Sequence, residues 1–247
     1  MESIDESRTV WQSIDNIVGM ERSLDALWGA VADELDAIGT DAAMTFVEDE
    51  EGRSSSTAHD FDSGWAYTGE CHVYRLELND GGDAPVLKGV ASIRIELWRK
   101  AGERAEAAWR YAKTPLIYVA YHGNADSDPE DRSYYGREGW EFGLDQYGNP
   151  YDKSEEDARY RARTPLWIYD EIPDAVDEWI KSSWFFAVPL VEIGSYDELR
   201  AQITEPLREL LMENRPPEEV FRGRRAIPAG RETSPGHLDD QRERDPV

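Results

Sequence analysis

The four histidines, His59, His72, His122 and His237, have the widest chemical range in this chain, and their spacing argues against shared work. None stands at a metal-ligand interval from another, so a zinc site would need distant parts of the chain to meet. No serine lies in a G-x-S-x-G elbow. Neither a phosphate-cradling G-x-x-x-x-G-K-[ST] nor a strand-to-helix G-x-G-x-x-G occurs. Asn124, Asp126 and Asp128 of NADSDPED alternate like a cation loop. Counted from Asn124, however, the positions where an EF-hand requires Gly and Glu hold Pro129 and Tyr135. That segment reads as a solvated acidic loop. Cys71 is the only cysteine, which excludes an intrachain disulfide and a cysteine metal cluster. Its alternating surroundings, GECHVYRLEL, mark it as a small packed strand residue rather than a nucleophile. No cofactor is expected.

One stretch comes closer to a reaction. SIRIELWRKAGERAEAAWRYAKTPLIYVAY follows the strand–helix–strand order of the restriction-endonuclease-like fold and resembles it. The resemblance implies an acid and then E-x-K on adjacent strands, with carboxylates holding Mg²⁺ and the lysine orienting the attacking water. Glu96 matches the glutamate, and Lys100 would serve if the strand extends to it. Glu77, on the neighbouring strand, would be the upstream acid. Trp98 occupies the lysine position and departs from the pattern. Arg94 with Glu96 reads equally as a cross-strand charge pattern. A metal-dependent nuclease is therefore the alternative function.

The elements that would position these residues emerge from periodicity. Ile17, Met20, Leu24, Leu27, Trp28, Val31, Leu35 and Ile38 recur at steps of three and four, the stripe of an amphipathic helix that Gly39 would end. A strand is expected over Ala42–Glu50, and a polar loop over Glu51–Gly64. Ala66–Leu78 and Val86–Trp98 read as long strands joined by NDGGDAP, a hairpin loop. In the second strand Leu87, Ala91, Ile93, Ile95 and Leu97 share one face; Ser92, Arg94, Glu96 and Trp98 share the other, a polar and interactive face. Helices are expected at Ala101–Lys113, Lys153–Ala162, Pro173–Ser183 and Ser195–Asn214. Ser195 with Glu198 makes a capping box in the last of these, and Pro206 is a kink point. Trp184–Ile193 reads as a buried strand. Ser133–Tyr151 is a Gly- and aromatic-rich loop or hairpin.

AKTPLIYVAY (Ala112–Tyr121) and ARTPLWIYDE (Ala162–Glu171) share a Thr-Pro-Leu core. Proline at a strand's first position breaks no ladder bond and turns the preceding residue away from helical geometry. The match is short and the flanks diverge at once. It therefore reads as one helix-to-strand punctuation used twice, without domain duplication.

Charge is the strongest compositional signal. Asp and Glu number 52 against 27 Lys and Arg, a net charge of −25, and only five of the basic residues are Lys. Such a body repels itself in dilute buffer, whereas in molar salt the Debye length falls to roughly 3 Å. Abundant carboxylates with scarce Lys resemble the proteins of salt-in halophiles, chiefly haloarchaea and their viruses. The longest apolar run, WFFAVPLV, is far short of the roughly 20 residues that span a bilayer. The acidic N-terminus is unlike a signal peptide. The expected location is a virion or the cytoplasm of a high-salt organism, with no membrane partner. An acidic body also disfavours nucleic acid, whose phosphates require clustered Lys and Arg.

From Asn214 onward seven Arg balance seven acids, and Pro is frequent. Residues 214–247 read as an extended or disordered tail, with Phe221, Arg222, Arg224 and Arg225 suited to a neighbouring subunit's acidic surface. Residues 1–16 read as an N-terminal extension, and 17–213 as one domain, with two subdomains meeting near 123–160 as the alternative. The fold class is α+β: a mostly antiparallel sheet, a long N-terminal amphipathic helix, further packed helices and the extended tail. Helix, strand, hairpin, helix and strand across residues 17–122 is similar in order to the tail-terminator and neck proteins of tailed viruses. That resemblance implies a non-catalytic homo-oligomer contacting itself and neighbouring assembly proteins. Tyr134, Tyr135, Trp140 and Phe142 would then be aromatic anchors at subunit contacts. A monomeric regulatory module acting through its tail is the further alternative.

Overall fold

The computed structural model describes residues 2–42, 44–48, 54–57, 67–78, 86–97, 111, 114–123, 142–144, 150–152, 160–169 and 183–229. Helix α1 (Glu2–Ala42) starts well before the expected Ile17, so residues 2–16 belong to a helix and are not a separate extension. Leu24, Trp28, Val31, Leu35 and Ile38 are its buried stripe. Gly39 does not end the helix. A Cβ there would stand 2.6 Å from the carbonyl oxygen of Met44, so glycine lets the chain fold closely back into the first strand.

The strands are β1 (Met44–Glu48), β2 (Ser54–Thr57), β3 (Tyr67–Leu78), β4 (Val86–Glu96), β5 (Leu116–Gly123), β6 (Phe142–Leu144), β7 (Pro150–Asp152), β8 (Tyr160–Arg163), β9 (Leu166–Tyr169) and β10 (Ser183–Pro189). Seven form one antiparallel sheet in the order β1-β3-β4-β5-β10-β9-β8. Strand β2 joins the same edge of β3 as β1, β1 along Tyr74–Leu78 and β2 along Tyr67–Cys71. β6 and β7 pair separately. The α+β expectation holds. Two local expectations do not: Ser54–Thr57 pairs as a strand inside the predicted loop, and Tyr160–Arg163 is a strand where a helix was expected. The expected helices at 101–113 and 173–183 lie outside the described residues, apart from Tyr111 and Ser183.

One face of the sheet is the helical face. There the buried stripe of α1 shares one hydrophobic cluster with Phe46, Tyr74, Leu76, Ile93, Ile95, Val119, Trp184 and Phe186. It is joined by α2 (Tyr196–Leu199), a π-helical stretch (Arg200–Thr204) and α3 (Glu205–Met212), which succeed one another without a break. Ser195 caps α2 as expected, its Oγ accepting from the Glu198 N–H at 3.2 Å. Proline cannot donate to a carbonyl one turn back and its ring crowds that carbonyl. The wide turn immediately before Pro206 accommodates both.

After α3 the chain makes α4 (Pro217–Val220) and seats Phe221 edge-on against Phe186, ring centroids 4.9 Å apart. It then passes to the opposite face. The Ile227 N–H donates to Ala187 O at 2.9 Å, a position on β10 that β9 does not reach. Ile227 and Ala229 cover Leu116, Tyr118, Trp167, Phe185 and Ala187 on this second face. Residues 214–229 are therefore packed as a strap, and residues 230–247 of the expected tail lie outside the described residues.

Candidate functional site

Strand alternation turns Ala91, Ile93 and Ile95 toward the helices and Ser92, Arg94 and Glu96 toward the second face. The expected interactive polar face is corrected here, because all three polar residues are buried. Register sets Arg94 between Cys71 of β3 and Tyr118 of β5. The Tyr118 hydroxyl donates to Glu96 Oε2 at 2.9 Å, and Arg94 Nη2 lies 3.4 Å from Glu96 Oε1. Charge and hydrogen bonds are thus satisfied within the sheet, which is how a buried carboxylate is tolerated. Cys71 sits in a small apolar cluster with Val73 and Val90, as its neighbours suggested.

The acids of the nuclease alternative are not brought together. Glu77 pairs with Leu87, whereas Glu96 pairs with Gly69, at opposite ends of the β3–β4 hairpin. Eight residues of strand separate them, roughly 26 Å at the usual rise. One Mg²⁺ cannot span that distance. Trp98 and Lys100 lie outside the described residues. Among the described residues, no group of three or more His, Cys, Asp or Glu is arranged to hold a metal ion.

Two histidine settings escaped sequence reasoning. His122, on β5, faces Ser183 of β10, and its Nδ1 shares a short hydrogen bond with the Ser183 hydroxyl. Burial pushes the imidazole down to about 3, so it is neutral. The pair ties two adjacent strands. His72, on β3, lies between two carboxylates: Nδ1 is 2.8 Å from Glu48 Oε1 and Nε2 is 3.0 Å from Glu70 Oε1. The Trp28 indole stacks on its ring, centroids 3.9 Å apart, and donates to Glu70 Oε2 at 2.9 Å. Glu70 and His72, two residues apart on a strand, could have been seen to share a face. Nothing local in the sequence announces Glu48 or Trp28.

No family model, curated protein or solved structure matches this chain. Its residues are therefore the whole basis for a functional reading. No helix among the described residues is long and apolar enough to cross a membrane.

The expected interface residues divide. Tyr134, Tyr135 and Trp140 lie outside the described residues, and Phe142 opens β6. Phe221 is buried against its own chain's core, and Arg224 reaches Glu209 Oε1 at 2.7 Å and Glu205 Oε2 at 3.5 Å. Both make internal contacts in this chain: Phe221 meets Phe186, and Arg224 meets acids of its own helix α3. Arg222 and Arg225 remain exposed. A second internal anchor holds α1. Glu34, only 4% exposed, receives Arg200 Nη2 at 2.7 Å and Nε at 3.0 Å, with the Thr204 hydroxyl at 3.3 Å. The Arg200 hydrogen bonds hold the Glu34 carboxyl below the ordinary carboxylate value despite burial.

Proposed function

We propose that this chain is a non-catalytic, self-assembling structural protein of a high-salt system, of the kind that builds the neck or tail of tailed viruses. The observation that carries this is the length of α1. At 1.5 Å per residue its 41 residues run about 60 Å, and the buried side chains among those described span Leu24–Ile38, about 21 Å. From Gln12 to Ser23 every residue with described burial is exposed except Met20, and Val18 is 39% exposed. The sequence stripe nonetheless continues through Ile17, Ile14 and Trp11 at the same spacing. A second copy's equivalent stripe is the natural cover for such a helix. The element order helix, strand, hairpin and strand, in one sheet with α1 on its face, also suits the tail-terminator and neck resemblance. The net charge of −25 sets the condition, since copies approach freely only where salt screens them.

Light scattering in molar KCl and in dilute buffer tests this. A discrete oligomer in KCl that dissociates on dilution of the salt, and that Trp11→Asp reduces to monomer, is the expected result. A monomer in both buffers overturns the self-assembly reading.

A further inference from the structure

The cluster around His72 is built from three elements. β3 supplies Glu70 and His72, β1 supplies Glu48 and α1 supplies Trp28. Their contacts form one line: indole N–H to Glu70, Glu70 to imidazole, imidazole to Glu48. The ring is buried, whereas the Glu48 side chain is 42% exposed, so the line runs from beneath the helix to solvent. Among the described residues, the titratable groups that face the ring are Glu48 from β1 and Glu70 from its own strand. α1 contributes the indole, and β4 sets Ile93 opposite.

A ring nitrogen meets an ionised carboxylate favourably only as a donor. Both contacts are therefore made together only by the doubly protonated ring, which has two N–H groups. The indole face adds attraction for that cation. A neutral ring keeps one N–H and turns a lone pair toward the other carboxylate. We propose that Trp28, Glu48, Glu70 and His72 form a proton-operated latch. It ties edge strand β1 and helix α1 to β3 while the ring carries both protons, and loosens when one leaves. The device stands independently of the assembly reading.

Amide hydrogen exchange on the full-length chain tests it, with β10 as the internal reference. As pH rises through the general imidazole range, about 5 to 8, protection of the β1 amides should fall about tenfold or more after correction for intrinsic rates. Protection of β10 should not fall with it. His72→Gln should abolish the step. Glu48→Gln should move it to lower pH, because one negative charge no longer favours the cation. No step in the wild type, an equal step in β10, or a step that survives His72→Gln overturns the latch. Should His72→Gln fail to fold, Glu48→Gln decides: an unshifted step overturns it.

Discussion

The two Thr-Pro-Leu segments lie on either side of the same strand. Leu116 opens β5 and Leu166 opens β9, both fully buried, and β10 runs antiparallel between them. Ile117 pairs with Val188 and Trp167 with Phe185, so the segments are staggered by three residues along β10. Three is odd, and strand side chains alternate, so matched residues point to opposite faces. Leu116 joins the core beneath the strap, and Leu166 joins the core beneath the helices. The segments differ in their contacts as well. Pro115 O accepts from the Leu190 N–H where the chain leaves β10. The second segment is a tight hairpin turn, with β8 paired to β9 up to Arg163 and Leu166. Its turn grips the strap, Thr164 Oγ1 donating to Ala229 O at 3.3 Å and Arg163 pairing with Glu218 at 3.1 Å. A shared tripeptide therefore sets the element after it, a strand beginning with a buried leucine. The face is not set, because stagger is decided by partners elsewhere in the chain.

Substitutions at the leucines should break the comparison most strongly. Leu116→Ala should cost about 4 kcal/mol and Leu166→Ala about 3 kcal/mol in urea unfolding. The difference is expected because β5 is flanked along its length by β4 and β10, whereas β9 is four residues long. The reverse order would mean that burial face, and not strand position, governs the site. Next comes the strap's other anchor. Burial pushes the Glu209 carboxyl up, but Arg224, Arg215 and Arg208 override it and hold the group below its ordinary value. Glu209→Ala leaves Arg224 without its main partner and should cost about 3 kcal/mol. Because the folded value is the lower one, this contribution is complete above the unfolded carboxylate range of about 4.3 and is lost as pH falls through the folded value. The wild type's advantage over Glu209→Gln should therefore shrink on acidification and remain flat above about pH 5. Thr164→Val, which removes one hydrogen bond to the strap, should cost about 1 kcal/mol and raise exchange at Ile227. Arg163→Ala, whose ion pair is largely exposed, should change stability by less than about 0.5 kcal/mol.

Elements whose period is self-contained were legible. The α1 stripe from Leu24 to Ile38 and the β3–β4 hairpin read directly from spacing and turn residues. Ser54–Thr57 did not, because three of its four residues are serines without alternating apolar character; its pairing is supplied by the edge of β3. The strap was misread for the opposite reason. Its composition is that of a disordered segment, but Val220, Phe221, Ile227 and Ala229 are each buried, and Arg215 and Arg224 meet Glu209 of α3. Sparse apolar residues suffice when a preformed surface receives them. Of the chemistry, Glu96 was recognised as a residue with something to hold, and its partner proved to be Tyr118 rather than Glu77. Only the β4–β5 register could reveal that.

Glu34 and Arg200 are 166 residues apart in the chain, yet their carboxylate and guanidinium close one side of the helical layer. At a ribosomal pace of 5–20 residues per second, roughly 8–30 s separate the synthesis of the two. For that interval the apolar stripe of α1 has no α2–α3 layer beside it. The helix waits for a segment made 166 residues later, which makes time, as well as sequence, a condition on how this protein folds.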